Sequence, residues 1–153
     1  MDEVKFLRDQ IETTFKGDSW HGPNLLNTLA GIDNHQARAR PLGERHTIWE
    51  LTDHITFWME EVWKSLKDPI ELNSGKKKDW PEMGVTESDW TQSVDRLKAA
   101  VNLTIDELAT WSNEDLECNV AEANFNYKQM LHGMVHHNLY HAGQINLLKK
   151  KID

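Results

Sequence analysis

The sequence predicts an all-α fold, a bundle of about four long helices, on three observations. Apolar residues recur at spacings of three and four through long windows, the spacing that lines one face of a helix. Helix-capping patterns precede two of these windows, and turn-forming residues fall between them. No window alternates apolar and polar residues with the period of a strand. At 153 residues the chain is long enough to close one hydrophobic core, and a single domain over residues 1–153 is expected.

Val4, Leu7, Ile11 and Phe15 mark one face of a helix over residues 3–16, which Gly17 and Asp18 interrupt. A second stretch, 23–37, opens on Pro23, tolerated in a first turn where its missing N–H has no partner to lose. The two stretches read as pieces of one broken or kinked helical region. Pro41 and Gly43 mark a loop. Thr47 and Glu50 form an S/T-x-x-E box, in which each side chain satisfies a backbone donor, and open a helix to about Lys67. That helix stops before Asp68-Pro69, because proline disfavours helix in the residue preceding it. Residues 68–85 hold two prolines, two glycines and the run Lys76-Lys77-Lys78, and read as a surface loop. Thr86 with Asp89 resembles a second capping box and starts a helix over 87–111, with Trp90, Val94, Leu97, Val101, Ile105 and Leu108 in register. The last helix is expected from Tyr127 to about Lys150, its terminal lysines suiting the negative end of the helix dipole.

Composition narrows the function classes. Twenty-five acidic against 17 basic side chains give a net charge of −8, so the basic surface that nucleic-acid phosphates require is not expected. No apolar run approaches the roughly 20 residues that cross a bilayer. The N-terminal MDEVKFLRDQ carries no apolar signal core, and a cytoplasmic protein is expected. A single cysteine, Cys118, excludes an internal disulfide and a cysteine-based zinc site, and reads as a small side chain in the loop before the last helix.

Eight histidines include four between His132 and His141. On a helical wheel with Met130 at zero, His137 and His141 fall at about −20° and +20°, beside Met134, Ile145 and Leu148 on the apolar face. His132 and His136 fall at about 200° and 240°, on the opposite face with Lys150. Two imidazoles at i and i+4 on one face can converge on a divalent ion, although such pairs also occur on solvated faces. In the helix opened by Thr47, His54 borders the stripe of Leu51, Ile55, Trp58 and Val62, with Trp49 and Trp58 bracketing it as core and pocket wall. His54 reads as a third ligand or as a satisfied residue of the core edge. Three neutral imidazoles with an open position make a catalytic rather than a closed structural site. Glu61, two turns from His54, reads as a ligand, a base, an outer partner of the ligands or a solvated charge. His21, His35, His132 and His136 read as surface or capping groups. The H-E-x-x-H, Walker, dinucleotide-glycine and G-x-S-x-G patterns are absent.

The string His136-His137-Asn138-Leu139-Tyr140-His141-Ala142-Gly143-Gln144-Ile145 resembles the C-terminal signature of the DinB-like superfamily, an H-x-x-x-H followed by A-G-Q-I. Thr47-Ile48-Trp49-Glu50-Leu51-Thr52-Asp53-His54-Ile55 resembles its second-helix signature, a tryptophan and Glu-Leu shortly before the first metal histidine. Order and separation agree, and the resemblance covers nearly the whole chain. It implies a four-helix bundle of the DinB/YfiT-like type that holds one divalent metal ion per chain, zinc or nickel, on His54, His137 and His141. It also implies a homodimer. The better understood members are bacillithiol- or mycothiol-dependent transferases and isomerases.

The expected activity is therefore transfer of a low-molecular-weight thiol to an electrophilic small-molecule substrate. A metal-dependent hydrolase using hydroxide at the same open position is the alternative enzyme, and a metal-stabilised stress or binding protein without turnover is the third reading. The lysine run at 76–78 reads as solvated loop or as a docking site for an anionic thiol.

Overall fold

Each helix begins where a short polar side chain can accept from the backbone N–H groups that a helix start leaves without partners. In the computed structural model, which describes residues 2–73 and 75–152, Asp2 accepts from the Lys5 N–H and opens α1, Glu3–Phe15. Asn113, far along the chain, accepts from the Glu3 and Val4 N–H groups and completes the cap. Asn24 opens α2, Leu25–Leu29, and an Asp33/Gln36 capping box opens α3, Asn34–Arg38. The stretch expected as one helix over 23–37 thus divides in two. Gly31 takes a left-handed φ of +77°, which a helix cannot carry, and Asp33 caps anew beyond it.

The capping boxes at Thr47/Glu50 and Thr86/Asp89 are both formed and open α4, Ile48–Lys67, and α5, Glu87–Leu108. The second helix ends before residue 111 because the Thr110 and Trp111 N–H groups bond three residues back, tightening the end into a turn. The Trp111 ring meets Tyr127 edge-on, 4.8 Å between centroids. A 3-10 turn, Asp115–Glu117, and an isolated bridge between Asn119 and Asn126 lead into α6, Tyr127–Ile152. Cys118 lies exposed just after the turn.

The four long helices pack in a ring: α4 against α5 and α6, α1 against α5 and α6. Their inner faces, with Leu7, Ile55, Leu97 and Leu131 fully buried, form the core. Two tryptophans fix α4 against α5. Trp49 and Trp90 meet at 5.3 Å, the Trp49 Nε1–H donates to Ser93 Oγ at 2.9 Å, and the Trp90 Nε1–H donates to the Ile32 carbonyl at 2.7 Å. At the other end of α4, the Tyr127 hydroxyl donates to the Ser65 carbonyl and ties α6 to it. Among the described residues no helix is long and apolar enough to cross a membrane.

Candidate metal centre

The α4–α6 contact brings His54 to face His137 and His141. One ligand atom of each lies within 4.8 Å of the others, and the Nε2 atoms of His54 and His137 are 3.1 Å apart. His54 and His141 are buried and His137 is half-buried. These are the three histidines that the helical wheels turn inward. His136, His21 and His35 are exposed, and His132 reaches the Glu3 carboxylate at 3.3 Å on the outer face.

Each ring is held through its other nitrogen. The His54 Nδ1–H donates to the Asp79 backbone carbonyl at 2.7 Å, and the His141 Nδ1–H donates to Gln144 Oε1 at 2.6 Å. The His137 Nδ1–H donates to Asn138 Oδ1 at 3.3 Å. A carbonyl oxygen only accepts, so these contacts place the hydrogens on Nδ1 and leave the Nε2 lone pairs facing one another. Two such lone pairs 3.1 Å apart repel unless a cation stands between them. A tetrahedral site with metal–nitrogen bonds of about 2.0–2.1 Å separates its nitrogens by about 3.3–3.4 Å, close to the 3.1 Å between His54 and His137. Three neutral imidazoles without a carboxylate suit zinc or nickel better than the hard cations calcium and magnesium. The residues therefore fit a divalent metal of that class.

Electrostatics keep the rings neutral. Burial, then repulsion from the neighbouring His141, hold the His137 pKa down at about 4, with Asn138 opposing. Burial lowers His54 and His141 as well, against the Asp79 carbonyl in the first case and Gln144 in the second. A folded-state value below the ordinary 6.5 means that the unfolded chain takes up the proton first as pH falls. His137 is therefore expected to cost the metal-free protein no stability above about pH 6.5, progressively more as pH falls to about 4, and no more below that. Urea midpoints across that window check this, and His137→Ala should flatten the slope. Gln144→Ala, which removes the partner of His141, is expected to weaken zinc binding by about 10–100-fold in a chelator competition.

The loop between α4 and α5 contributes more than its sequence suggests. Trp80 lies flat between two imidazoles, 3.9 Å from His54 and 3.5 Å from His46, with interplanar angles of 10° and 6°. The ring stacked on His54 thus comes from the loop. Trp49 packs on α5, while Trp58 is half-buried and lines a smaller cleft together with His137. Glu61 is neither ligand nor solvated charge. It is buried, accepts from the Asn73 N–H and from Lys64, and so anchors the loop. Asn73, in the left-handed region at φ +52°, then brackets Lys77 through its side-chain amide. Ser74, inside the loop expected over 68–85, is outside the described residues, as are Met1 and Asp153 of the expected domain. Lys76, Lys77 and Lys78 are exposed.

Two cavities adjoin the histidines along the α4–α6 groove. One, about 530 Å³, is lined by His141, Gln144 and Leu148 of α6, Leu51 of α4, and Arg45, His46 and Trp80. The other, about 170 Å³, is lined by His137, Met130 and Met134 of α6, Trp58 and Val62 of α4, and Leu72. None of the three lysines lines either cavity. Asp79, Trp80, His46, Asn138 and Gln144 carry no periodic signal. Gln144 alone could have been found, from the A-G-Q-I string three residues past His141.

The family model of the DinB superfamily matches residues 19–145, a span that takes in α2 to α5 and α6 through Ile145. No curated protein and no solved structure matches the chain.

Proposed function

The chain belongs to the DinB superfamily, and from that membership and the converging imidazoles we propose a divalent-metal-dependent enzyme that transfers a small thiol to an electrophilic substrate. Zinc or nickel on His54, His137 and His141 would supply a cationic centre that lowers the pKa of a thiol brought to it. The chain's own residues hold three lone pairs in place, keep them unprotonated at neutral pH, and cover one side of His54 with the Trp80 ring.

The observation that supports transfer over hydrolysis is the pair of cavities. His141 lines one and His137 the other, so two molecules of different shape can reach the cluster along the groove. Hydrolysis needs one such molecule and water, and it commonly uses a carboxylate as base. Among the described residues no carboxylate oxygen joins the three-histidine group. The nearby Asp79 carboxylate lies 3.8 Å from His54 Nδ1, on the side of the ring away from the cluster.

The test is a thiol-consumption assay on metal-loaded, untagged protein with bacillithiol and an alkyl halide, with ester and amide hydrolysis run in parallel. Thiol loss well above that of His54→Ala supports transfer. Thiol loss at the His54→Ala level removes it, and hydrolysis in the parallel wells would install the hydrolase in its place. The proposal also takes the working unit to be a cytoplasmic homodimer, and sedimentation of the purified chain as a monomer would remove that part.

A further inference from the structure

The larger cavity has an electrostatic character at odds with the chain as a whole. A protein of net charge −8 would be expected to edge a surface cleft with carboxylates, yet among the described residues none lines this one. The charge that does line it is Arg45, exposed and, among the described residues, without an ion-pair partner. The nearest arginine is differently placed: Arg40 donates to the Glu50 carboxylate and to the Arg45 carbonyl. Arg45 thus has its backbone carbonyl held, while no described residue pairs with its guanidinium. The rest of the lining is largely apolar, with Leu51 and Leu148 buried and Leu42 and Leu147 exposed at 42% and 55%. Exposed leucines lining the same cavity as an unpaired guanidinium offer a ligand both an apolar and an ionic contact.

We propose that this cleft binds a small amphipathic carboxylate, its anionic group on Arg45 and its apolar body on the leucines. A guanidinium presents paired N–H donors that match the two oxygens of a carboxylate, which a lysine does not. The cavity of about 530 Å³ is within the range of about 300–1,000 Å³ usual for small-molecule sites. Because His141 lines the same cavity, a ligand seated in this way has part of its length beside the histidine cluster. The inference rests on the proposed transferase for which end of the ligand reacts, and not for whether the ligand binds.

Calorimetric titration with octanoate and with octan-1-ol, on the metal-loaded chain and on His137→Ala, tests it. Octanoate should bind at least about tenfold more tightly than octanol. Arg45→Gln should bring octanoate to the octanol level and leave octanol unchanged, while Leu147→Ser weakens both alike. The octanoate preference should persist in His137→Ala, which separates this site from the metal reading. Equal affinity for the two ligands, binding of neither, or a preference that survives Arg45→Gln but is lost in His137→Ala would each overturn the proposal, the last by assigning the carboxylate to the histidine cluster.

Discussion

His137→Ala is expected to take bound zinc from about one ion per chain to a trace while leaving the helical fold intact. A three-histidine site that loses one imidazole keeps two ligands, too few to hold the ion against a chelator. The loss in affinity should exceed the roughly 10–100-fold that removal of an outer partner costs. Stability responds in the same direction. An ion bound only by the folded chain contributes about 4 kcal/mol at a free concentration 1,000-fold above Kd, and the variant forgoes that gain. Without metal the order changes. The Nε2 atoms of His54 and His137 stand 3.1 Å apart with no proton to share, so the metal-free variant should be at least as stable as the metal-free parent. Elemental analysis and paired melting curves, with and without zinc, check both halves. A melting temperature that zinc raises equally in parent and variant would place the ion elsewhere.

Trp49→Ala should cost about 3–5 kcal/mol of folding stability, the usual range for removing a buried tryptophan from a core. Trp49 is fully buried against Trp90, and its Nε1–H satisfies the Ser93 hydroxyl. Its ring also fills space under the loop, where a Cβ on Gly84 would approach it to 2.9 Å. Truncation therefore leaves a cavity at the place where α4 is set against α5 and where the loop returns to the bundle. Trp49→Phe keeps most of the volume and forfeits the hydrogen bond, about 1 kcal/mol, together with part of the packing. Urea midpoints rank the three chains, and a cost under about 1 kcal/mol for alanine would show that the site collapses to fill the hole. Zinc affinity measured well below the unfolding range should change little, because among the described residues the Trp49 ring meets Trp90 and makes no ring contact with the three histidines.

Helical residues proved the readable ones. His54, His137 and His141 could be turned inward on paper because a helix fixes the direction of each side chain from its position alone, and the apolar neighbours supply the zero of the angle. The Thr47/Glu50 and Thr86/Asp89 boxes are equally local, four residues each, and both are formed. What escaped depends on where an irregular segment goes. Trp80 and Asp79 reach His54 across 26 and 25 positions through a path set by Glu61, Asn73 and the α3 contacts of Val85. No period encodes such a path. Glu61 shows the same limit from the other side: its helical position was legible, but its partner is a loop N–H. The division of 23–37 into α2 and α3 was missed for a different reason. Asn24 and Asp33 are strong cap signals, yet the stretch reads as one helix opening on Pro23, without a break at Gly31.

The sandwich of His46, Trp80 and His54 bears on how fast an ion held by these rings would exchange, as distinct from how tightly it would be held. Affinity is a property of the three nitrogens and their neutral state. Lifetime is another matter, because His54 cannot rotate away while Trp80 lies on its face and the Asp79 carbonyl holds its Nδ1–H. Release through His54 would first require the loop, anchored where the Asn73 N–H donates to the buried Glu61 carboxylate, to lift. Two chains with the same equilibrium constant for zinc could therefore differ widely in the hours they retain it, the loop setting the clock and the histidines the balance.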